Sequence, residues 1–216
     1  MTRLTTSQRM AFALIVLAVL AALIVWLAPP ELTLGDGIKT VYVHAPLMWT
    51  ALVGLLVTAS LGFAVTASGR PELENWMRTV AWVTMIALAA AALTGMWSSR
   101  VTWGGVFWDE PRMRILLQVL AVYTVVLIAS RWLPWLRVRG LTLAITVAIA
   151  VAALRLAPLV LHPRDPVSSA SSASIRLTFV ALFALCLSAA ALVVWYAKLG
   201  RPKATQPLDS VSVPVA

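Results

Sequence analysis

The chain has 216 residues, of which 61% are hydrophobic and 12% are charged, and its formal net charge is +9. A soluble domain carries about 25% charged residues, so this composition cannot cover a water-facing surface and excludes a soluble enzyme or binding module. The basic residues flank long apolar runs, which indicates a role in membrane orientation and not in contact with nucleic acid. A single cysteine, Cys186, excludes an internal disulfide and a CxxC redox pair.

Long apolar runs follow one another along the chain. A helix needs about 20 apolar residues to cross a hydrocarbon core of ~30 Å. The six runs that approach or exceed this length are residues 10–28, 45–68, 79–97, 115–130, 141–161 and 177–197. Because backbone in lipid must satisfy its own hydrogen bonds, they predict an all-α integral membrane protein, a bundle of six transmembrane helices. Pro29-Pro30 replace the small residues of a signal-peptide cleavage site, so we expect the first helix to be retained.

The predicted domain organisation is simple. Residues 1–200 form one membrane domain, and residues 201–216 form a polar, disordered cytoplasmic tail. Ten Lys and Arg residues lie on the side of the two termini and seven on the other side, which favours cytoplasmic termini. The odd-numbered connections then face outwards, and they contain His44, the Trp-rich segment 97–112 and His162.

The chain has two histidines, His44 at the predicted start of the second span and His162 after the fifth. In isolation each reads most simply as a polar cap at a helix end. Together, two imidazoles on one face are a natural axial pair for haem iron, and the nearby Arg155 and Arg164 can pair with haem propionates. Arg155 lies two helical turns before His162 if the helix continues that far.

A zinc site is the alternative use of these imidazoles. Zinc prefers four ligands, and the acids on this face that could join the histidines are Asp109, Glu110 and Asp165.

The Trp-rich segment interleaves Trp97, Trp103 and Trp108 with Gly104-Gly105 and an acid-Pro-Arg turn that ends at Arg112. Tryptophan is enriched at membrane interfaces, so an aromatic belt is the simplest interpretation. Indoles beside glycines also predict a flat apolar platform that suits a planar macrocycle.

Thr102-Trp103-Gly104, followed by aromatics and an acid-x-Arg, resembles the Trp-rich "WWD" segment of the haem-handling membrane proteins of cytochrome c maturation. The order of histidine, WWD segment and histidine over six spans is similar to the haem exporter protein C (CcmC) family. Tyr42-Val43-His44-Ala45-Pro46, with Trp49 after it, is similar to that family's Tyr-Val-His-x-Pro motif, and His162 matches its second histidine. The resemblance covers nearly the whole chain apart from the tail.

The WWD segment departs from the family pattern in one spacing. Three residues separate Gly104 from Trp108 where the pattern has four, although the distance from Trp103 to Arg112 is kept. Either Asp109 or Glu110 therefore occupies the family's acid position, and overall length favours Glu110.

The resemblance implies a non-enzymatic role in haem handling at the periplasmic face of a bacterial inner membrane. It implies that non-covalent b-type haem is presented to the membrane-anchored haem chaperone CcmE. The other implied partners are an ATP-binding subunit, a second permease and a small membrane subunit of the haem exporter complex, in membrane lipid and without nucleic acid.

The same resemblance gives roles to particular residues. His44 and His162 would be the axial ligands, and Arg112 would follow the family's arginine. The platform would consist of Trp103, Phe107 and Trp108. Arg155 and Arg164 as propionate partners rest on their position in the sequence alone.

Two other functions compete with haem presentation. A permease subunit of a multi-subunit transporter would carry polar or ionisable groups near the bilayer midplane. The predicted spans offer little there, with Gln118 and Tyr123 in the fourth, Thr94 near an end and no acid inside any span. An intramembrane redox enzyme would need haem ligands at two depths or a cysteine pair, which two histidines on one side and one cysteine do not provide.

Overall fold

A computed structural model describes residues 5–158, 160–161 and 172–199. The long helices are α1 Thr6–Leu27, α2 Ile38–Ser68, α3 Pro71–Trp103, α4 Pro111–Ala129, α5 Leu136–Leu156 and α6 Ala173–Leu199. A short 3-10 helix, Ser130–Trp132, follows α4. The described part of the chain thus contains six helices long and apolar enough to cross a membrane, which confirms the all-helical fold. His162, Arg164 and the predicted tail 201–216 lie outside the described residues.

Two helices are longer than the apolar runs predict. Helix α2 begins at Ile38 instead of residue 45, and α3 spans 33 residues instead of 79–97. Hydropathy marks only the part of a helix that lies in hydrocarbon, whereas the helix itself ends where a local signal stops it. For α3 those signals are Pro71 in the first turn and Gly104 at the C-cap.

Helix α5 is shorter than predicted, because it ends at Leu156 and not at residue 161. Ala157 precedes Pro158 and adopts an extended ψ of 127°, as the clash of a proline ring with the preceding residue requires. The predicted two-turn helical relation between Arg155 and His162 is therefore wrong.

Helix α2 is the centre of the bundle and packs against α3, α5 and α6. A Cβ built on Gly62 would lie 2.7 Å from the carbonyl oxygen of Gly140 on α5, and one on Gly54 would lie 2.2 Å from Thr84 Oγ1 on α3. These glycines let the helix axes approach closely, which is how membrane helices gain packing energy when burial from water supplies none. Leu55 and Leu88 are among the fully buried core residues at these contacts.

Side-chain hydrogen bonds join the helices at the end of the bundle that contains the start of α3. The Arg78 guanidinium donates to the Leu127 carbonyl at 3.2 Å and to Ser130 Oγ at 3.3 Å. Arg139 forms a 3.2 Å ion pair with Glu74. Arg78, which hydropathy places in a connection, lies inside α3 and donates to the Leu127 carbonyl near the C-terminal end of α4.

The connection between α1 and α2 is folded onto the bundle. The backbone N–H groups of Leu34 and Thr33 each donate to Glu31 Oε2 at 2.8 Å, and these bonds lower the pKa of the Glu31 carboxyl below its ordinary value. The hydroxyl of buried Tyr42 donates to the Pro29 carbonyl at 3.1 Å. Helix α1 itself has no buried residue and packs mainly along α6.

The contact between Gly62 and Gly140 predicts the effect of a larger residue there. A Cβ on Gly140 would lie 2.6 Å from the Gly62 carbonyl oxygen, so Gly140→Val must separate α2 from α5. We expect a loss of about 1–3 kcal/mol, the usual cost of overpacking, measured as a lower unfolding temperature in detergent. Gly105→Val is the control, because nothing lies within 4 Å of a Cβ at Gly105. An equal loss in both variants would contradict the close approach of α2 and α5.

Candidate functional site at the histidine end

One end of the bundle contains the sequence features that suggest function. The start of α2, the end of α3, the start of α4 and the end of α5 lie there, because consecutive helices run antiparallel. Thr40 Oγ1 of α2 and Ser98 Oγ of α3 lie within hydrogen-bond distance at 3.0 Å, which joins the first two elements. We call this the histidine end. It brings His44 and the Trp-rich segment to the same side of the bundle.

His44 lies inside α2, six residues after Ile38, and not at the start of a helix as predicted. Pro46 is likewise an internal helix residue and not part of a first turn. His44 Nδ1 lies 2.9 Å from the Ala91 carbonyl oxygen of α3. Because a carbonyl only accepts, Nδ1 carries the hydrogen, and the neutral imidazole then holds its lone pair on Nε2. Nε2 is thus the nitrogen that can coordinate a metal.

The imidazole ring of His44 packs against a glycine on α3. A Cβ built on Gly95 would lie 2.9 Å from His44 Cε1 and 3.1 Å from Nδ1. Ala91 and Gly95 are four residues apart, so they lie on one face of α3. The Ala91 carbonyl holds the imidazole by a hydrogen bond, and Gly95 leaves the space that the ring occupies. Sequence reasoning missed both residues. The signal that could have found them is the small-residue spacing Ala91-x-x-x-Gly95 in a span predicted to face a neighbour.

His44 is recessed below the end of the bundle. Helices α2 and α3 have 31 and 33 residues, or about 46 and 50 Å, and therefore exceed a hydrocarbon core of ~30 Å. His44 lies roughly 9 Å along α2 from its start, and Gly95 lies roughly 12 Å along α3 before Trp103. If both helices are centred in the bilayer, the imidazole lies near the hydrocarbon boundary and the Trp-rich segment outside it.

The first part of the Trp-rich segment is helical. Helix α3 continues through Trp97 to Trp103 and ends at Gly104, whose φ of +81° favours glycine. The ring centroids of Trp103 and Phe107 lie 6.3 Å apart with an interplanar angle of 62°. The prediction of a flat platform is therefore wrong for this pair, because edge-to-face packing tilts the rings. Phe107 and Trp108 are exposed.

Gly105 comes next, and neither its backbone conformation nor its neighbours require a glycine at this position. Its φ is not positive, and nothing lies within 4 Å of a Cβ built on it. Its carbonyl accepts a 2.6 Å hydrogen bond from Ser99 Oγ, which holds the connection against α3. The open side of Gly105 allows a ligand to approach the backbone.

The two candidate acids lie in different surroundings. Glu110 is buried, and its carboxylate accepts the Met113 N–H at 2.7 Å as the N-cap of α4. Asp109 is exposed and forms an ion pair with Arg114. Glu110 therefore fixes the start of α4, whereas Asp109 lies on the surface.

Arg112 and Arg155, two of the predicted arginines, also differ in burial. Arg112 is the second residue of α4, and its Nε is buried without a hydrogen-bond partner among the described residues. A buried guanidinium N–H without an acceptor is costly, so an anion beside it would be stabilised. Arg155 is exposed near the end of α5. His162 and Arg164 lie outside the described residues, so their positions relative to His44 stay predictions.

Within the described ranges, no three His, Cys, Asp or Glu side chains cluster closely enough to hold a metal ion. A zinc site built only from Asp109, Glu110 and His44 is thus not assembled there.

No protein-family model matches the chain, and no curated protein matches it. The functional proposal is carried by the geometry of the histidine end and by the motif resemblance.

The contact between His44 and Gly95 generates a prediction about coupling. Gly95→Ala should lower the free energy of unfolding in the wild-type background, because the new methyl group overlaps the imidazole, and overpacking costs about 1–3 kcal/mol. In a His44→Ala background the overlap disappears. The same change should then be neutral or stabilising, because alanine is favoured over glycine in a helix by about 1 kcal/mol.

Thermal unfolding of the four proteins in detergent measures this cycle. If Gly95→Ala lowered the free energy of unfolding equally with and without His44, the packing of the imidazole against Gly95 would be contradicted.

Proposed function

We propose that this protein is a haem-binding and haem-presenting subunit of the cytochrome c maturation machinery. The observation that carries the proposal is the 2.9 Å distance between His44 Nδ1 and the Ala91 carbonyl oxygen, at the end of the bundle that contains the Trp-rich segment. Because the carbonyl can only accept, this contact favours the tautomer with the hydrogen on Nδ1. Metal-binding histidines almost always donate their other ring N–H to a carbonyl or carboxylate, which orients the ring and raises the basicity of the ligating nitrogen.

The described residues fit a haem group in three respects. His44 would hold the haem iron through Nε2, and haem would supply an iron centre that accepts a nitrogen donor. Arg112 offers a buried N–H that a propionate would satisfy. Gly105 leaves its backbone open beside exposed Phe107 and Trp108, which would cover the apolar macrocycle.

His162 is the proposed second axial ligand on the strength of the family resemblance and of its place in the sequence after α5. Arg155 and Arg164 are proposed as further propionate partners from the same connection. In this arrangement the protein's residues bind, orient and present the group, and none of them forms or breaks a bond in a substrate.

The proposed topology has both termini in the cytoplasm of a bacterium and the histidine end at the periplasmic face of the inner membrane. The count of basic residues supports it. Exposed Trp108 would then meet the haem chaperone, and the remaining exporter subunits would bind elsewhere on the bundle.

Removal of either histidine tests the ligand assignment. His44→Ala or His162→Ala should shift the Soret band of bound haem and speed haem loss to a scavenger, because one axial bond is gone. Added imidazole should restore much of the spectrum, since the vacated space accepts the same nitrogen donor.

Thr40→Val is the matched control, because it removes the hydrogen bond to Ser98 at the same end without removing a nitrogen ligand. Unchanged spectra in both histidine variants would defeat the assignment.

The exposed Trp108 provides a test of the aromatic surface. Trp108→Ala should weaken haem retention or chaperone docking without lowering the unfolding temperature, because its indole is 60% exposed and leaves no core behind. Trp132, 78% exposed at the opposite end, is the control. Equal haem loss in Trp108→Ala and Trp132→Ala would favour a plain aromatic belt.

Cysteine labelling tests the topology. In a Cys186→Ser background, Leu32→Cys should react with an impermeant maleimide added to the periplasmic side, because Leu32 is 98% exposed at the histidine end. Trp132→Cys should react only after the membrane is permeabilised. The reverse pattern would invert the proposed orientation.

A further inference from the structure

A narrow cleft lies between α2, α3 and α6, away from the histidine end. Its volume is about 240 Å³, and apolar side chains form nearly all of its lining. Thr50 and Ala87 lie at its inner end, and Trp76 and Trp195 lie at its outer end. The outer end belongs to the end of the bundle where α3 begins and α6 ends.

Along its α3 wall the cleft is about as long as one membrane leaflet is thick. Along α3 it extends from Trp76 to Ala87, which is eleven residues or about 16 Å. Half of a hydrocarbon core of ~30 Å is about 15 Å. The tryptophans at the outer end are of the type that marks the membrane–water interface. An extended acyl chain that entered at the interface would therefore end near Thr50.

A cation lies at the mouth of the cleft. Lys198 Nζ is 4.8 Å from the centroid of the Trp76 ring, in the last turn of α6. A lysine at this depth reaches the headgroup region, where a lipid phosphate carries negative charge. The mouth thus has the charge that a phosphate complements, and the interior has the apolar character that an acyl chain requires.

We infer that this cleft binds one anionic phospholipid, with an acyl chain between α2, α3 and α6 and its phosphate beside Lys198. The site is separate from the proposed haem site and does not depend on it. The lipid fills a space that the protein's side chains leave open and thereby joins α6 to the α2–α3 pair. We therefore expect lipid binding to favour a negatively charged headgroup and to be lost when a larger side chain narrows the cleft.

Native mass spectrometry of the delipidated full chain tests this site with phosphatidylglycerol and phosphatidylcholine of the same acyl composition. The wild-type protein should retain one phosphatidylglycerol more strongly than phosphatidylcholine. Lys198→Gln should reduce that preference about fivefold, which is the effect expected of one lysine near an anionic headgroup. Ala190→Phe, which places a ring in the cleft, should abolish the retention of both lipids.

Two variants serve as controls. Arg131→Gln removes an exposed cation from the same end of the bundle, and Ala184→Phe adds a ring to an exposed α6 position outside the cleft. Both should bind phosphatidylglycerol as the wild type does. Equal retention of the two lipids by the wild type, or an undiminished preference in Lys198→Gln, would overturn the proposal. If Ala190→Phe fails to fold, Lys198→Gln decides the question alone, because its side chain lies at the surface end of α6.

Discussion

Glycines on α2 and α5 let the helices of the bundle approach each other closely. Gly62 and Gly140 do this for α2 and α5, and Gly54 does it for α2 and α3 beside Thr84. Because burial from water does not drive helices together inside lipid, such close packing has to supply the attraction. The same approach brings α3 within hydrogen-bond reach of His44, so the orientation of the imidazole depends on how closely the bundle packs.

The two ends of the bundle use their polar residues differently. At the end where α3 begins, the Arg78 guanidinium and the Arg139–Glu74 pair join neighbouring helices. At the histidine end, Arg112 Nε has no acceptor among the described residues. The first arrangement stabilises the bundle by itself, whereas an anion beside Arg112 would satisfy the second, which is why we propose the histidine end as a binding site.

The number and order of the helices could be predicted from hydropathy, because apolar length is a direct requirement of the bilayer. The helix ends could not. Residues 38–44 of α2 and the last turns of α3 lie outside the apolar runs, and the ends are set by local signals such as Gly104 and Pro158. The sequence predicted that His44 and the Trp-rich segment lie at one end of the bundle, because both belong to odd-numbered connections between the spans. The small-residue spacing of Ala91 and Gly95 marks a face where a neighbouring helix can approach, but it could not predict that the imidazole packs there, because that contact depends on the rotation of α2 against α3. Nor could it predict the tilt between the rings of Trp103 and Phe107, which depends on how the connection after α3 folds.

The absorption spectrum of the detergent-purified protein from haem-replete cells tests the central claim most directly. The account predicts that a Soret band of bound haem remains with the protein through size-exclusion chromatography, because His44 and a second histidine nitrogen would hold the iron. A purified, folded protein that shows no Soret band, and gains none when stoichiometric haemin is added, would contradict it.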